Sequence, residues 1–175
     1  MDKQKEIDKR YLRMAFIWSE NSYAIRRKVG CLMVKDNRII SDGWNGTPSG
    51  FPNVCEYAED SNGEKHEYLT VHALERDTNY HHWNLRSYPY VLHAEANAIT
   101  KLAKFGGSSS KGATIYITDS PCVECSKLII QAGIKRIVYS RAYRDISGIQ
   151  LLDKAGIEII QITEEELRKT TDEEI

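Results

Sequence analysis

The chain has 175 residues, of which 41% are hydrophobic and 28% charged, and its formal net charge is −1. That length suits one domain with a sizeable core, and the balance of charge argues against a protein that depends on long-range attraction to DNA or RNA, where a clear basic excess is the rule. No window approaches the roughly 20 apolar residues that cross a bilayer.

Residues 1–10 are charged and contain no apolar h-region, so no secretory signal is expected. The chain has 4 cysteines, and without a signal they point to a reducing compartment, where paired cysteines serve as metal ligands or redox groups. The working expectation is a cytoplasmic protein.

Ile7, Tyr11, Met14 and Trp18 fall at helical spacing and predict a first helix of about four turns. Val29-Gly30-Cys31-Leu32-Met33-Val34 reads as a buried strand, with Cys31 a small core residue. Asp36-Asn37 makes a turn into Arg38-Ile39-Ile40-Ser41, so the two strands form a hairpin. Gly43-Trp44-Asn45-Gly46-Thr47-Pro48-Ser49-Gly50 is rich in turn formers and is expected as a loop. From 51 to 92 the pattern is weak, and this stretch is treated as an insertion with some helix around Val71–Asp77.

Beyond it the chain alternates: a helix over His93–Phe105 ending at Gly106-Gly107, and a strand over Ala113–Thr118. A helix over Cys122–Ala132 stopped by Gly133 and a strand over Arg136–Tyr139 come next. A helix over Ile149–Ala155, a strand over Glu158–Ile162 and a last helix opened by Thr163-Glu164-Glu165-Glu166 in a capping-box pattern complete the chain. The expectation is an α/β fold, a three-layer α/β/α sandwich around a mixed five-stranded sheet with largely parallel later strands, and residues 1–175 as one domain.

Two separated pieces carry chemistry. Cys122 and Cys125 are three apart, so on a helix they share a face and a metal. At a helix N-terminus their thiolates are favoured by the local positive potential. His93 supplies a third ligand, and three protein ligands leave a fourth position open, as in catalytic zinc sites. Glu95, two residues on, is placed to move protons. The H-x-E…P-C-x-x-C pattern is the signature of zinc deaminases. A CxxC that follows a strand also fits a thioredoxin-like redox site, a structural metal site, or a buried dithiol with no role.

Gly43 to Gly50, His93-Ala94-Glu95-Ala96-Asn97-Ala98-Ile99, Ser120-Pro121-Cys122-Val123-Glu124-Cys125-Ser126-Lys127 and Ile129 to Lys135 together resemble the deoxycytidylate (dCMP) deaminase family. The likeness runs over about residues 10–162 apart from the 51–92 insertion. It implies hydrolysis of dCMP to dUMP and ammonia, with dUMP passing to thymidylate synthesis. It implies zinc on His93, Cys122 and Cys125, and proton relay by Glu95. Asn45 would meet the sugar hydroxyl, the Ala94 N–H the pyrimidine O2, and the Ser120 carbonyl the departing amine. An amide on a glycine-flanked turn suits a sugar contact, although Asn45 also serves simply to shape such a turn. The resemblance further implies a homo-oligomer (a hexamer), and regulation by dCTP and dTTP with Mg2+.

A monophosphate calls for donors, and Arg26, Arg27 and Lys28 precede the first strand; a solvated basic run is the plain alternative. Cys55, His66, His72, His81 and His82 have the residue types of a second, structural zinc site. The rival readings are a tRNA adenosine deaminase, a cytidine or deoxycytidine deaminase, and a zinc-binding module without catalysis. No membrane association is expected, and a small nucleotide fits better than a nucleic acid.

Overall fold

The structure is a computed structural model that describes residues 3–66 and 84–172. Helix α1 (Lys3–Ser19) leads through a turn to strands β1 (Gly30–Lys35) and β2 (Arg38–Trp44). Their hairpin turns on Asp36 and Asn37, both with positive φ (49° and 59°), as a two-residue type I′ connection requires. β2 runs to Trp44, so Gly43 and Trp44, expected in a loop, are its last two residues.

Helix α2 (Ala94–Phe105), strand β6 (Thr114–Asp119), helix α3 (Val123–Gln131), strand β7 (Arg136–Arg141), helix α4 (Ser147–Lys154), strand β8 (Glu158–Gln161) and helix α5 (Glu164–Asp172) make the second half. The main sheet has the order β2-β1-β6-β7-β8. β1 pairs antiparallel with both β2 and β6, whereas β6, β7 and β8 run parallel, so the sheet is mixed as expected. Parallel neighbours need a crossover, and α3 and α4 supply them.

Period-two alternation builds the layers. Cys31, Met33, Ile115, Ile117 and Ile137 pack with Ala94 and Ala98 of α2, Ile129 of α3 and Leu152 of α4. Leu32, Val34, Tyr116 and Val138 turn to the opposite face and pack against Leu12 and Ala15 of α1 and Leu167 of α5. At the start of α5, Thr163 and Glu166 bond reciprocally in the capping box read from the sequence.

The buried face of α1 is Asp8, Leu12, Ala15 and Ser19, one residue round from the expected stripe, and Met14 is exposed. The reason is a polar anchor inside the core. Asp8 accepts two hydrogen bonds from Arg136 (2.8 and 2.6 Å) and one from the Tyr116 hydroxyl (2.8 Å). A carboxylate this buried is tolerable only when so paired, and the pairing turns α1 toward β6 and β7.

Within 51–92 the structure adds a second, antiparallel sheet in the order β4-β3-β5, from β3 (Glu56–Glu59), β4 (Lys65–His66) and β5 (Asn84–Ser87). Strands of two to four residues are too short to show periodicity, which is why the segment reads as patternless. The helix expected around Val71–Asp77 lies outside the described residues. The buried Glu56 carboxylate accepts from the backbone N–H groups of Ile25 (3.1 Å) and Arg26 (3.4 Å), joining this sheet to the approach to β1.

Candidate active site

Three local devices bring the motif residues to one point. His93 is the N-cap of α2 and Cys122 the N-cap of α3, both extended (φ −74° and −75°), with Cys125 one turn into α3. α2 and α3 lie on the same face of the sheet, so their N-termini meet. An isolated bridge then sets the approach to His93: Gly46 N–H donates to the Leu92 carbonyl (3.0 Å) and Leu92 N–H returns a bond to Gly46 (2.9 Å). The Asn45 turn is thereby stitched beside His93.

His93 Nδ1 lies 3.5 Å from Cys122 Sγ and 3.4 Å from Cys125 Sγ. A tetrahedral zinc with bonds of about 2.0–2.1 Å to nitrogen and 2.3 Å to sulfur would set its N and S ligands about 3.6 Å apart. The cluster therefore fits zinc in donor type, number and spacing. All four cysteines are free thiols, so no bond joins Cys122 to Cys125. Hydrogen bonds from Cys125 and His93 hold the Cys122 thiol far below its ordinary range, leaving a thiolate in the trio.

Glu95 is 3% exposed, in the first turn of α2, and touches the Cys125 thiol. Burial pushes its carboxyl up to about 7, against the opposing pull of its own backbone N–H and of His93. A carboxyl tuned to neutrality is one that can both take and give a proton at working pH.

The other expected residues are placed as follows. Ala94 is fully buried at the first position of α2, where helix N–H groups have no intrahelical partner. Ser120 is buried, and its Oγ accepts from Tyr143 N–H (2.7 Å). Asn45 uses both ends of its amide on backbone: Oδ1 accepts from Val29 N–H and Nδ2 donates to the Arg27 carbonyl, each at 2.8 Å. One Nδ2 hydrogen and one Oδ1 lone pair stay available to a ligand. Arg26 donates to the Ser87 hydroxyl (3.5 Å) and Lys28 to the Glu20 carbonyl (3.4 Å), both exposed. Arg27 does not stand free: its guanidinium binds Asp119 at 2.6 Å.

Of the residues expected at a second zinc site, Cys55 and His66 share no metal-binding cluster among the described residues. His66 sits opposite Ala58, three residues along the chain from Cys55, so about 10 Å separates them at the strand rise. His66 gathers instead with Asp60 and Glu64, and its ring contacts Asp60 at 3.2 Å. The Cys55 thiol is buried and pushed up to about 11, chiefly by burial, which disfavours the thiolate a metal needs. His72, His81 and His82 lie outside the described residues. Sequence reading passed over Asp119 altogether. Its position just before Ser120-Pro121-Cys122 was the available signal, but its partners are 92 and 22 residues away.

A buried carboxyl beside a His–Cys–Cys trio separates a deaminating zinc site from a structural one, and it defines the class: a zinc deaminase. The family described as the cytidine and deoxycytidylate deaminase zinc-binding region matches residues 5–141. The deoxycytidylate deaminase of Enterobacteria phage T4 is 36% identical over 185 residues, covering 94% of each chain. That of Saccharomyces cerevisiae is 30% identical, covering 93% of this chain and 49% of its own length. The crystal structure of the dCMP deaminase of cyanophage S-TIM5 in complex with dCMP and dUMP shares 37% identity. It superposes with a TM-score of 0.71 over 93% of this chain and 99% of that one. The chain belongs to the cytidine and deoxycytidylate deaminase family.

Proposed function

We propose that this chain hydrolyses the C4 amine of dCMP, releasing ammonia and dUMP. One observation carries the reading: the buried Glu95 stands against the His93–Cys122–Cys125 cluster in a chain similar over 94% of its length to a deoxycytidylate deaminase. His93, Cys122 and Cys125 would hold zinc, which when bound would supply the Lewis acidity that lets water act as a nucleophile at neutral pH.

Glu95 takes one proton from the attacking water and passes it to ring N3, then moves the second from the new C4 hydroxyl to the amine, so that C4=O forms as the C4–N bond breaks and ammonia leaves. The Ala94 N–H, at the positive end of α2, holds the pyrimidine O2, and the Ser120 carbonyl faces the amine. Asn45 meets the sugar with the donor and acceptor its backbone contacts leave over. Arg26 and Lys28, exposed beside the Asn45 turn, take the phosphate, with Arg27 behind them on Asp119. Family likeness carries the further proposals: dCTP and dTTP as effectors with Mg2+, a homo-hexamer, a cytoplasmic location and one deaminase domain over 1–175. Among the described residues no helix is long and apolar enough to cross a membrane. The net charge of −1 gives no support to tRNA as substrate.

The test is ammonia release from dCMP, deoxycytidine, dCTP and a tRNA anticodon stem, each with and without a chelator. dCMP should be the preferred substrate, with activity lost to the chelator and restored by zinc. Equal kcat/KM on deoxycytidine, or turnover that survives removal of the metal, would overturn the proposal.

A further inference from the structure

We propose that Asp119 is a positioning residue for substrate, its carboxylate fastening the turn that carries the Asn45 carboxamide to the loop that carries the metal-ligating sulfurs. The proposal rests on the reading above that Asn45 meets the sugar.

Asp119 ends β6, one residue before Ser120 and three before Cys122, and is 6% exposed. Both of its oxygens are engaged. Oδ1 accepts from Arg27 Nε and NH2 at 2.6 Å, a two-pronged contact. Oδ2 accepts from Arg141 NH2 at 2.6 Å and from the Thr118 hydroxyl at 2.8 Å. Each guanidinium then reaches the segment before β1. Arg27 belongs to it, and Arg141 NH2 also donates to the Lys28 carbonyl at 3.2 Å. That segment holds the Asn45 amide from both ends, through the Arg27 carbonyl and the Val29 N–H.

One carboxylate thus ties the segment that holds the Asn45 amide to the loop that carries the metal-ligating sulfurs, from the side opposite to the Gly46–Leu92 bridge that fixes the turn's backbone beside His93. An isolated exposed ion pair contributes little to stability. This contact differs because a buried anion holds two cations together. Without its charge, the Arg27 and Arg141 guanidiniums lose the anion between them, Arg141 keeping only the longer contact to Glu164 at 3.8 Å, and the 27–28 segment is released from the end of β6. Asn45 would follow that segment, because its amide is bonded to it, whereas His93 and the two cysteines stay on their helices. The consequence falls on substrate binding more than on the chemical step, and on any substrate with the sugar, whether or not it has a phosphate.

Asp119→Asn preserves shape and removes charge. The expected result is a rise in KM of about tenfold for dCMP and for deoxycytidine alike, with kcat within about threefold and zinc content unchanged. In an Asn45→Ala background the same change should add less than about twofold, because the contact it positions is already gone. Independent, multiplying losses would overturn the coupling while leaving the sugar contact intact. A loss confined to dCMP would overturn it too, by assigning Asp119 to phosphate orientation. If Asn45→Ala alone leaves both KM values unchanged, the sugar reading fails, and this inference with it. Should Asp119→Asn lose zinc or cooperative melting, Arg27→Met breaks the same contact from its half-exposed end. It is read with deoxycytidine, where phosphate plays no part, under the same criteria.

Discussion

Gly43 passes so close beneath α2 that a methyl group on it would overlap the carbonyl oxygen of Ala94 and stand 2.6 Å from the Ala98 nitrogen. Both obstacles are helix backbone, which cannot rotate aside. Gly43 therefore sets how deeply the first turn of α2 sinks onto β2, and with it the position of His93 and Glu95. Gly43→Ala should cost about 1–3 kcal/mol of stability from overpacking and weaken zinc binding. Urea denaturation and chelator competition are the measurements, and a variant that holds zinc as tightly as the parent would show that α2 can ride up without disturbing the trio.

Glu95→Gln keeps the size and most of the hydrogen bonding of the side chain and removes its ability to carry a proton. Turnover should fall by about 10²–10⁴-fold, with metal content unchanged. Steady-state kinetics beside metal analysis separates this from loss of the ion, and kcat within tenfold of the parent would remove Glu95 from the proton path.

The exposed pair Arg26→Ala with Lys28→Ala should raise KM for dCMP by about 10–100-fold, the worth of charge-assisted hydrogen bonds to phosphate. KM for deoxycytidine should stay within twofold. Parallel rises for both substrates would exclude a phosphate role and leave the run as a solvated junction.

Asp8 makes the fold sensitive to acid. Burial by itself raises its carboxyl, but hydrogen bonds from Arg136, Gln4 and Tyr116 outweigh this and hold it below the ordinary 3.8. A carboxylate lowered on folding contributes stability that is fully present above its unfolded value, about pH 4, and is lost as pH falls through the lower folded value. Asp8→Asn should cost about 1–3 kcal/mol by leaving the buried Arg136 with only the exposed Glu158 as counter-ion, and should flatten that acid limb. Denaturant titrations between neutral pH and pH 3 give both numbers. An acid limb as steep as the parent's would place the titrating group elsewhere.

The Cys122–Cys125 pair, the His93-Ala94-Glu95 run and the α/β alternation were legible from residue order because each depends on neighbours within a turn or two. Cys122 and Cys125 share a helix face by their spacing, and His93 and Glu95 open another helix. Relations across the sheet were decided only by tertiary structure. Leu12 is fully buried and Met14 exposed because Asp8 has a partner 128 residues away. The 56–87 strands exist through pairing with one another and not through any pattern of their own. Asp119 acquires Arg27 and Arg141 only once β1, β6 and β7 lie side by side. Local spacing is written in bond geometry, whereas long-range contact depends on which strands become neighbours, and no short window of residues carries that information.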